Sequence, residues 1–220
     1  MLSRIASAVV PTLGRLTITS DGAAAPEPGT IIAANHTSLV DPGVVLAALR
    51  RWNVEPVILA AAGLWRIPVL GRLLNRDGHI PVHRNTTHAA NALDVAAAAL
   101  RAGRTVLIYG EGRLPHRKDA AEAAPEDFRT GLARLACSAS VPIVPLGQAG
   151  ARRISSGSRA KQLAGILTAP ARRPRMHVHL GVPLQLSADV AAATTAAHQA
   201  VAAAWRTAAR HLDEPAAFAA

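Results

Sequence analysis

In the segment Asn35-His36-Thr37-Ser38-Leu39-Val40-Asp41 an imidazole and a carboxylate stand with four residues between them, a pair suited to moving a proton. An imidazole can take a proton from a hydroxyl near neutral pH. A carboxylate on its other ring nitrogen would fix the tautomer and stabilise the imidazolium that forms. No serine nucleophile is needed if the attacking hydroxyl belongs to a substrate. The same residues also have an ordinary use, since Asp41 can cap the following helix and His36 can satisfy a local backbone group. Residue types alone leave both uses open.

The flanking sequence says where the pair must sit. The apolar run Thr30 to Ala34 reads as a buried strand, and Pro42 to Arg50 reads as a helix that starts at its proline, so His36 and Asp41 occupy the turn at the mouth of a sheet. Three further polar groups end comparable elements. His79 to Val82 begins a short strand with Arg84 at its end, either an ordinary surface cation or, by the bidentate geometry of its guanidinium, a phosphate ligand. Thr105 to Tyr109 is a strand that turns out through Gly110-Glu111-Gly112-Arg113, where two glycines allow close backbone approach and present Glu111 to a ligand. The segment that follows Asp127-Phe128-Arg129-Thr130-Gly131 reads as a helix that runs to about Ser138.

Four blocks in order over residues 31 to 147 resemble the glycerolipid acyltransferases, the family that includes the 1-acylglycerol-3-phosphate acyltransferases. His36 to Asp41 resembles the family's His-four residues-Asp motif. Gly78-His79-Ile80-Pro81-Val82-His83-Arg84 resembles the second motif, a Gly followed at a distance by Arg. Tyr109 to Arg113 resembles Phe-Pro-Glu-Gly-Thr-Arg, and Val141-Pro142-Ile143-Val144-Pro145 resembles the Pro-containing fourth block. The third block departs from the pattern: Gly110 replaces Pro, and Arg113 follows Gly112 directly.

The resemblance implies an α/β layered domain with a mostly parallel or mixed central sheet flanked by helices. It implies transfer of a fatty acyl group from acyl-CoA or acyl-carrier protein to the hydroxyl of a lysophospholipid, 1-acyl-sn-glycerol-3-phosphate first among acceptors. His36 and Asp41 are then catalytic, Asn35, Gly78, Arg84, Glu111, Gly112, Arg113 and Arg129 contact substrate, and no cofactor or metal is called for. The altered third block leaves room for a non-glycerolipid acceptor, or for a non-catalytic lipid-binding protein of the same fold.

The remaining sequence is consistent with a compact enzyme. At 220 residues one domain spanning 1–220 is expected, its core built from small and aliphatic side chains because half the residues are hydrophobic but few are aromatic. Residues 1–14 contain a short amphipathic helix that either packs on the domain or rests at a membrane interface. Arg15 to Ser20 and Pro56 to Ala61 read as strands, and Leu64 to Leu74 as a helical segment interrupted by Pro68. Thr87 to Arg101 reads as a helix, and His116 to Pro125 as a mobile loop over the site. The prolines of Pro142 to Leu146 suggest an edge strand or a strand end. Met176 to Val182 is a late strand, and Ala188 to His211 holds one or two terminal helices. The single Cys137 sits in a helical apolar pattern and reads as packing.

Charge narrows the partners. The net charge of +10 comes from 24 basic and 14 acidic residues, but aromatics are not interleaved with the basic groups as in nucleic-acid binders. An anionic membrane or phosphorylated substrate accounts for the charge better. Residues 151–175 carry basic residues and no acidic one, which fits a solvated face, a membrane contact, or a site for coenzyme A phosphates or an acidic carrier protein. No run of about 18 apolar residues is present, so the expected location is cytoplasmic or peripheral on the cytoplasmic face of a membrane.

Overall fold

A computed structural model describes residues 1–22, 25–83, 89–115 and 119–214. The elements in chain order are α1 (Leu2–Leu13), β1 (Arg15–Ser20), β2 (Ile31–Ala34), α2 (Asp41–Leu49), β3 (Val57–Ala61), α3 (Pro68–Arg76), β4 (Ile80–Val82), α4 (Ala89–Arg101), β5 (Val106–Tyr109), α5 (Gly131–Ala139), β6 (Ile143–Ala149), α6 (Arg159–Arg172), β7 (Arg175–Leu180) and α7 (Val190–Arg210). The strands form one sheet in the order β1-β7-β6-β2-β5-β3-β4. Every neighbouring pair is parallel except β6 with β7.

The central strand β2 shows why the sequence folds this way. All four of its residues are buried, Ile32 and Ala34 toward α1 and α2, Ile31 and Ala33 toward α4, α5 and α7. A strand covered on both faces needs no polar alternation, so TIIAA reads as an unbroken apolar run. The expected layered α/β architecture is the one observed. Alanine has a specific use in it: Ala193, Ala197, Ala204 and Ala208 are fully or nearly fully buried on α7, and Gly147 of β6 lies so close that a Cβ there would sit 2.0 Å from the Ala204 carbonyl carbon. Small residues on both sides bring this long helix down onto the strand.

Three expectations need correction. β6 is not an edge strand but lies between β7 and β2. Pro145 is accommodated because its carbonyl accepts from Gly181 N–H just past the end of β7, and its missing N–H points the same way, away from the ladder with β2. The basic stretch after residue 150 holds a 14-residue helix, α6, which the sequence reading did not contain. The loop expected to be mobile is anchored in its described part, where Glu122 is buried; His116 lies outside the described residues. α1 packs on α2 through Ser3, Ala6 and Val10, its N-terminal ammonium pairing with Asp77, while Ile5 and Val9 stay exposed. Cys137 donates to the Ser187 carbonyl, a packing contact. No helix among the described residues is long and apolar enough to cross a membrane.

Candidate active site

Because β2, β5 and β6 run parallel, their C-terminal ends meet at one edge of the sheet, and the three loops that leave them build the site. The loop after β2 carries His36. Its Nδ1 lies 2.9 Å from Asp41 Oδ2. The same carboxylate oxygen accepts the backbone N–H groups of Thr37 and Ser38, so Asp41, fully buried at the start of α2, ties its own loop into a tight turn while it holds the imidazole. A carboxylate only accepts, so Nδ1 carries the hydrogen, and in the neutral imidazole the lone pair is on Nε2. The two uses left open by the sequence are combined in one residue: Asp41 both organises the turn and orients His36.

The loop after β5 supplies the neighbouring wall. Tyr109 stacks on the His36 ring with centroids 4.3 Å apart. Glu111 is buried, and its Oε1 accepts the His36 backbone N–H at 3.1 Å, while Oε2 has no hydrogen-bond partner among the described residues. Burial, reinforced by the nearby Asp41 and Glu126 carboxylates and only partly offset by backbone hydrogen bonds, pushes the Glu111 carboxyl up to about 8. At neutral pH it is therefore an acid with a proton to donate. Gly110, which stands where a proline was expected, faces the Phe128 ring: a Cβ would come within 2.3 Å of it. Arg129 N–H donates to the Gly110 carbonyl, so the segment around Phe128 is stapled to this loop. His198 of α7 braces the segment from behind, edge-on to Phe128 and with Nε2 3.2 Å from the Pro125 carbonyl.

Glu111, Arg113, Glu126, Phe128 and Arg129 line an open cleft of about 580 Å³. Arg113 reaches Glu126 at 3.1 Å, and both side chains are exposed. The structure thus brings His36, Asp41, Glu111, Gly112, Arg113 and Arg129 to one edge of the sheet. Arg84 lies outside the described residues. Two other expected contacts are not placed to meet substrate. Gly78, at φ 72°, ends α3 and precedes β4, and so lies at the strand's N-terminal end rather than at the site edge. Asn35 is fully buried, with its side-chain amide donating to the Gln148 carbonyl and its side-chain oxygen accepting Gln148 N–H, so it locks the end of β2 to β6.

The end of β6, the loop after it and the segment between β5 and α5 hold groups whose roles the sequence reading missed. The buried Arg152 guanidinium donates to the Thr37 carbonyl at 2.9 Å and to the Asp119 carbonyl, so one side chain grips both the His36 turn and the loop beside the cleft. Glu122 accepts from Gly150 N–H at 2.8 Å and from the Trp205 indole, and burial pushes it up to about 7. Gln148 donates to the Asn35 carbonyl and the Thr37 hydroxyl. Their partners lie in distant parts of the chain, and no local motif marks them. Only Tyr109, an aromatic at the last position of a strand, gave a local signal.

The pattern described as Acyltransferase matches residues 15–148. A probable 1-acyl-sn-glycerol-3-phosphate acyltransferase of Mycoplasma genitalium is 28% identical over 140 residues, which is 62% of this chain and 50% of that protein. The chain therefore spans about half the length of this curated relative. The crystal structure of the 1-acyl-sn-glycerophosphate acyltransferase PlsC from Thermotoga maritima superposes with a TM-score of 0.70 at 16% identity, covering 96% of this chain and 78% of that one, a likeness of fold.

Proposed function

Since this chain belongs to the Acyltransferase family, we propose that it moves a fatty acyl group from an acyl thioester, acyl-CoA or acyl-carrier protein, to the free hydroxyl of a lysophospholipid, with 1-acyl-sn-glycerol-3-phosphate as the favoured acceptor. The observation that carries the reading is the His36–Asp41 pair at 2.9 Å, on a turn whose backbone is tied to Glu111, itself in the lining of a cleft that holds Arg113 and Arg129 among carboxylates.

In this mechanism Nε2 of His36 takes the proton of the acceptor hydroxyl as its oxygen attacks the thioester carbonyl carbon, and Asp41 stabilises the imidazolium. The tetrahedral intermediate then expels the thiolate, the C–S bond breaks, and the imidazolium returns its proton to sulfur. No acyl-enzyme forms and no metal or cofactor takes part. Glu111, holding its proton at neutral pH, donates through Oε2 to an oxygen of the acceptor and so aims the hydroxyl at His36. Arg113 and Arg129 receive the phosphate together with Arg84. An exposed pair such as Arg113–Glu126 contributes only about 0–1 kcal/mol, so a dianionic phosphate can displace the glutamate. The proposed acceptor and the net positive charge support a peripheral location on an anionic, cytoplasm-facing membrane.

The test is thiol release from acyl-CoA with lysophosphatidate, other lysophospholipids or acylated sugars as acceptor. Lysophosphatidate is expected to support the fastest His36-dependent release. Arg84→Ala and Arg113→Ala are expected to raise the acceptor KM more than the donor KM, each lost charge-assisted contact costing about 1.5–3 kcal/mol. Unchanged acceptor KM in both variants would point to an acceptor without phosphate, and vesicle binding with no turnover on any acceptor would identify a lipid-binding protein instead.

A further inference from the structure

The seven basic residues of positions 151–175 are sorted by the fold into two groups. Arg152 is buried, Arg153 pairs with Glu214, and Arg175 pairs with Asp213. The other four, Arg159, Lys161, Arg172 and Arg173, lie on α6 or at its C-terminal cap, all exposed, and none has an acidic partner among the described residues. Positive charge is therefore concentrated on one helix.

That helix is also apolar on the wrong side for a core element. Of its 14 residues only Ala169 is buried. Leu163 and Leu167, one helical turn apart, are 60% and 71% exposed, and the exposed Ala160, Ala164 and Ala171 extend the same stripe at helical spacing. The position of α6 adds meaning. It follows the loop that leaves the C-terminal end of β6, and that loop holds the catalytic turn through Ser38 Oγ and the Ser155 carbonyl at 2.7 Å. The helix then lies back against the loop, Arg172 reaching the Arg153 carbonyl at 3.1 Å. Leu39, in the middle of the catalytic turn, is itself 60% exposed.

We propose that α6 is the membrane-docking element of this protein. It lies in the plane of an anionic bilayer surface with Leu163 and Leu167 among the acyl chains and Arg159 and Lys161 among the headgroups, and it brings the His36 turn to the level at which a lipid acceptor presents its hydroxyl. Basic residues flanking a leucine stripe on a surface helix are what interfacial binding needs, since neither a short apolar stripe nor a few charges suffices alone. The charge excludes the other simple occupants. A second copy would set one cationic helix against another, and the phosphates of a coenzyme or carrier protein call for the cations but not for the leucines. The proposal deepens the lipid-acceptor reading by naming the surface that delivers the acceptor.

The experiment is co-sedimentation of the full chain with vesicles of phosphatidylcholine, with and without about one-third phosphatidylglycerol. It compares wild type with Leu163→Ser/Leu167→Ser and with Arg159→Gln/Lys161→Gln. All four positions are exposed, so circular dichroism should be unchanged. Wild type is expected to bind the anionic vesicles, and either double variant to bind about tenfold or more weakly. Turnover of a long-chain acceptor embedded in those vesicles should fall in parallel, with turnover of a short-chain acceptor in free solution unaltered. Several outcomes would overturn the assignment: no binding by wild type, full binding by the serine variant, loss in the glutamine variant alone, or concentration-dependent self-association that the serine variant abolishes. If wild type fails on the free short-chain acceptor, the acyl-transfer reading falls while the vesicle result still decides the role of α6.

Discussion

At the scale of single residues, the proposed reaction divides the site into groups that would meet substrate and groups that hold those in place. His36→Ala removes the base and is expected to reduce thiol release by at least ~100-fold. Its side chain is only 15% exposed, stacks on Tyr109 and partners the buried Asp41, so the unfolding transition should fall modestly while circular dichroism shows the fold intact. Asp41 should behave differently, because it also accepts two backbone N–H groups. Asp41→Asn should lose rate, and Asp41→Ala should lose rate and stability together. For Arg152→Met the Thr37 carbonyl loses its buried partner, a cost of about 1–3 kcal/mol, and kcat should fall more than either KM; Arg152→Lys, with one contact restored, should recover part of it.

The two raised glutamates give a pH signature. In the unfolded chain each loses its proton near 4.5, while in the folded protein Glu122 keeps it to about 7 and Glu111 to about 8. Over that interval the folded state binds more protons, so their contribution is full below pH 4.5 and is lost as pH rises through 7 and 8. His177, which burial beside His211 lowers to about 4, acts in the opposite sense: its contribution disappears as pH falls below 6.5. Urea unfolding of Glu122→Gln and Glu111→Gln, compared with wild type at each pH, should show a shallower decline between pH 4.5 and the respective upper values.

At the scale of elements, two glycines set how closely pieces of the fold approach. Gly147→Ala places a methyl group against the backbone of α7, which cannot swing aside as a side-chain end can. A melting-temperature drop reflecting about 1–3 kcal/mol or more is expected. Gly110→Ala pushes on the Phe128 ring and hence on the cleft wall, so here the acceptor KM should rise with the loss of stability.

What could be read from the sequence follows the same physics. β2, β5 and the His36 turn were legible because buried parallel strands are short apolar runs that end in polar loops. α6 was not, because its leucines face outward and Ala169 is its only buried residue. The central place of β6 was hidden by Pro145, whose harmlessness depends on where β7 ends. That His36, Asp41 and Glu111 come together could be anticipated because each lies in a local motif at a strand end. Gln148, Arg152 and Glu122 could not, since their meaning arises only when distant segments converge. Asn35 was read as a ligand for its neighbourhood, whereas the buried pairing with Gln148 gives it a different task.

At the scale of the whole molecule, the sheet mixes strands that meet early in the chain with strands that meet late. β2 pairs with β5, and β3 with β4, while β1 finds its only neighbour in β7, with Arg15 opposite Arg175. Closing that pairing means fixing a loop of some 160 residues, the slowest kind of contact to form. During synthesis the first strand therefore waits unpaired until the last strand, β7, has left the ribosome, whereas α1 can already settle on α2. Pulse-labelling hydrogen exchange during refolding should find the amides of β2 and β5 protected first and those of β1 last. The interval between them is when this chain is most exposed to aggregation and most in need of a chaperone.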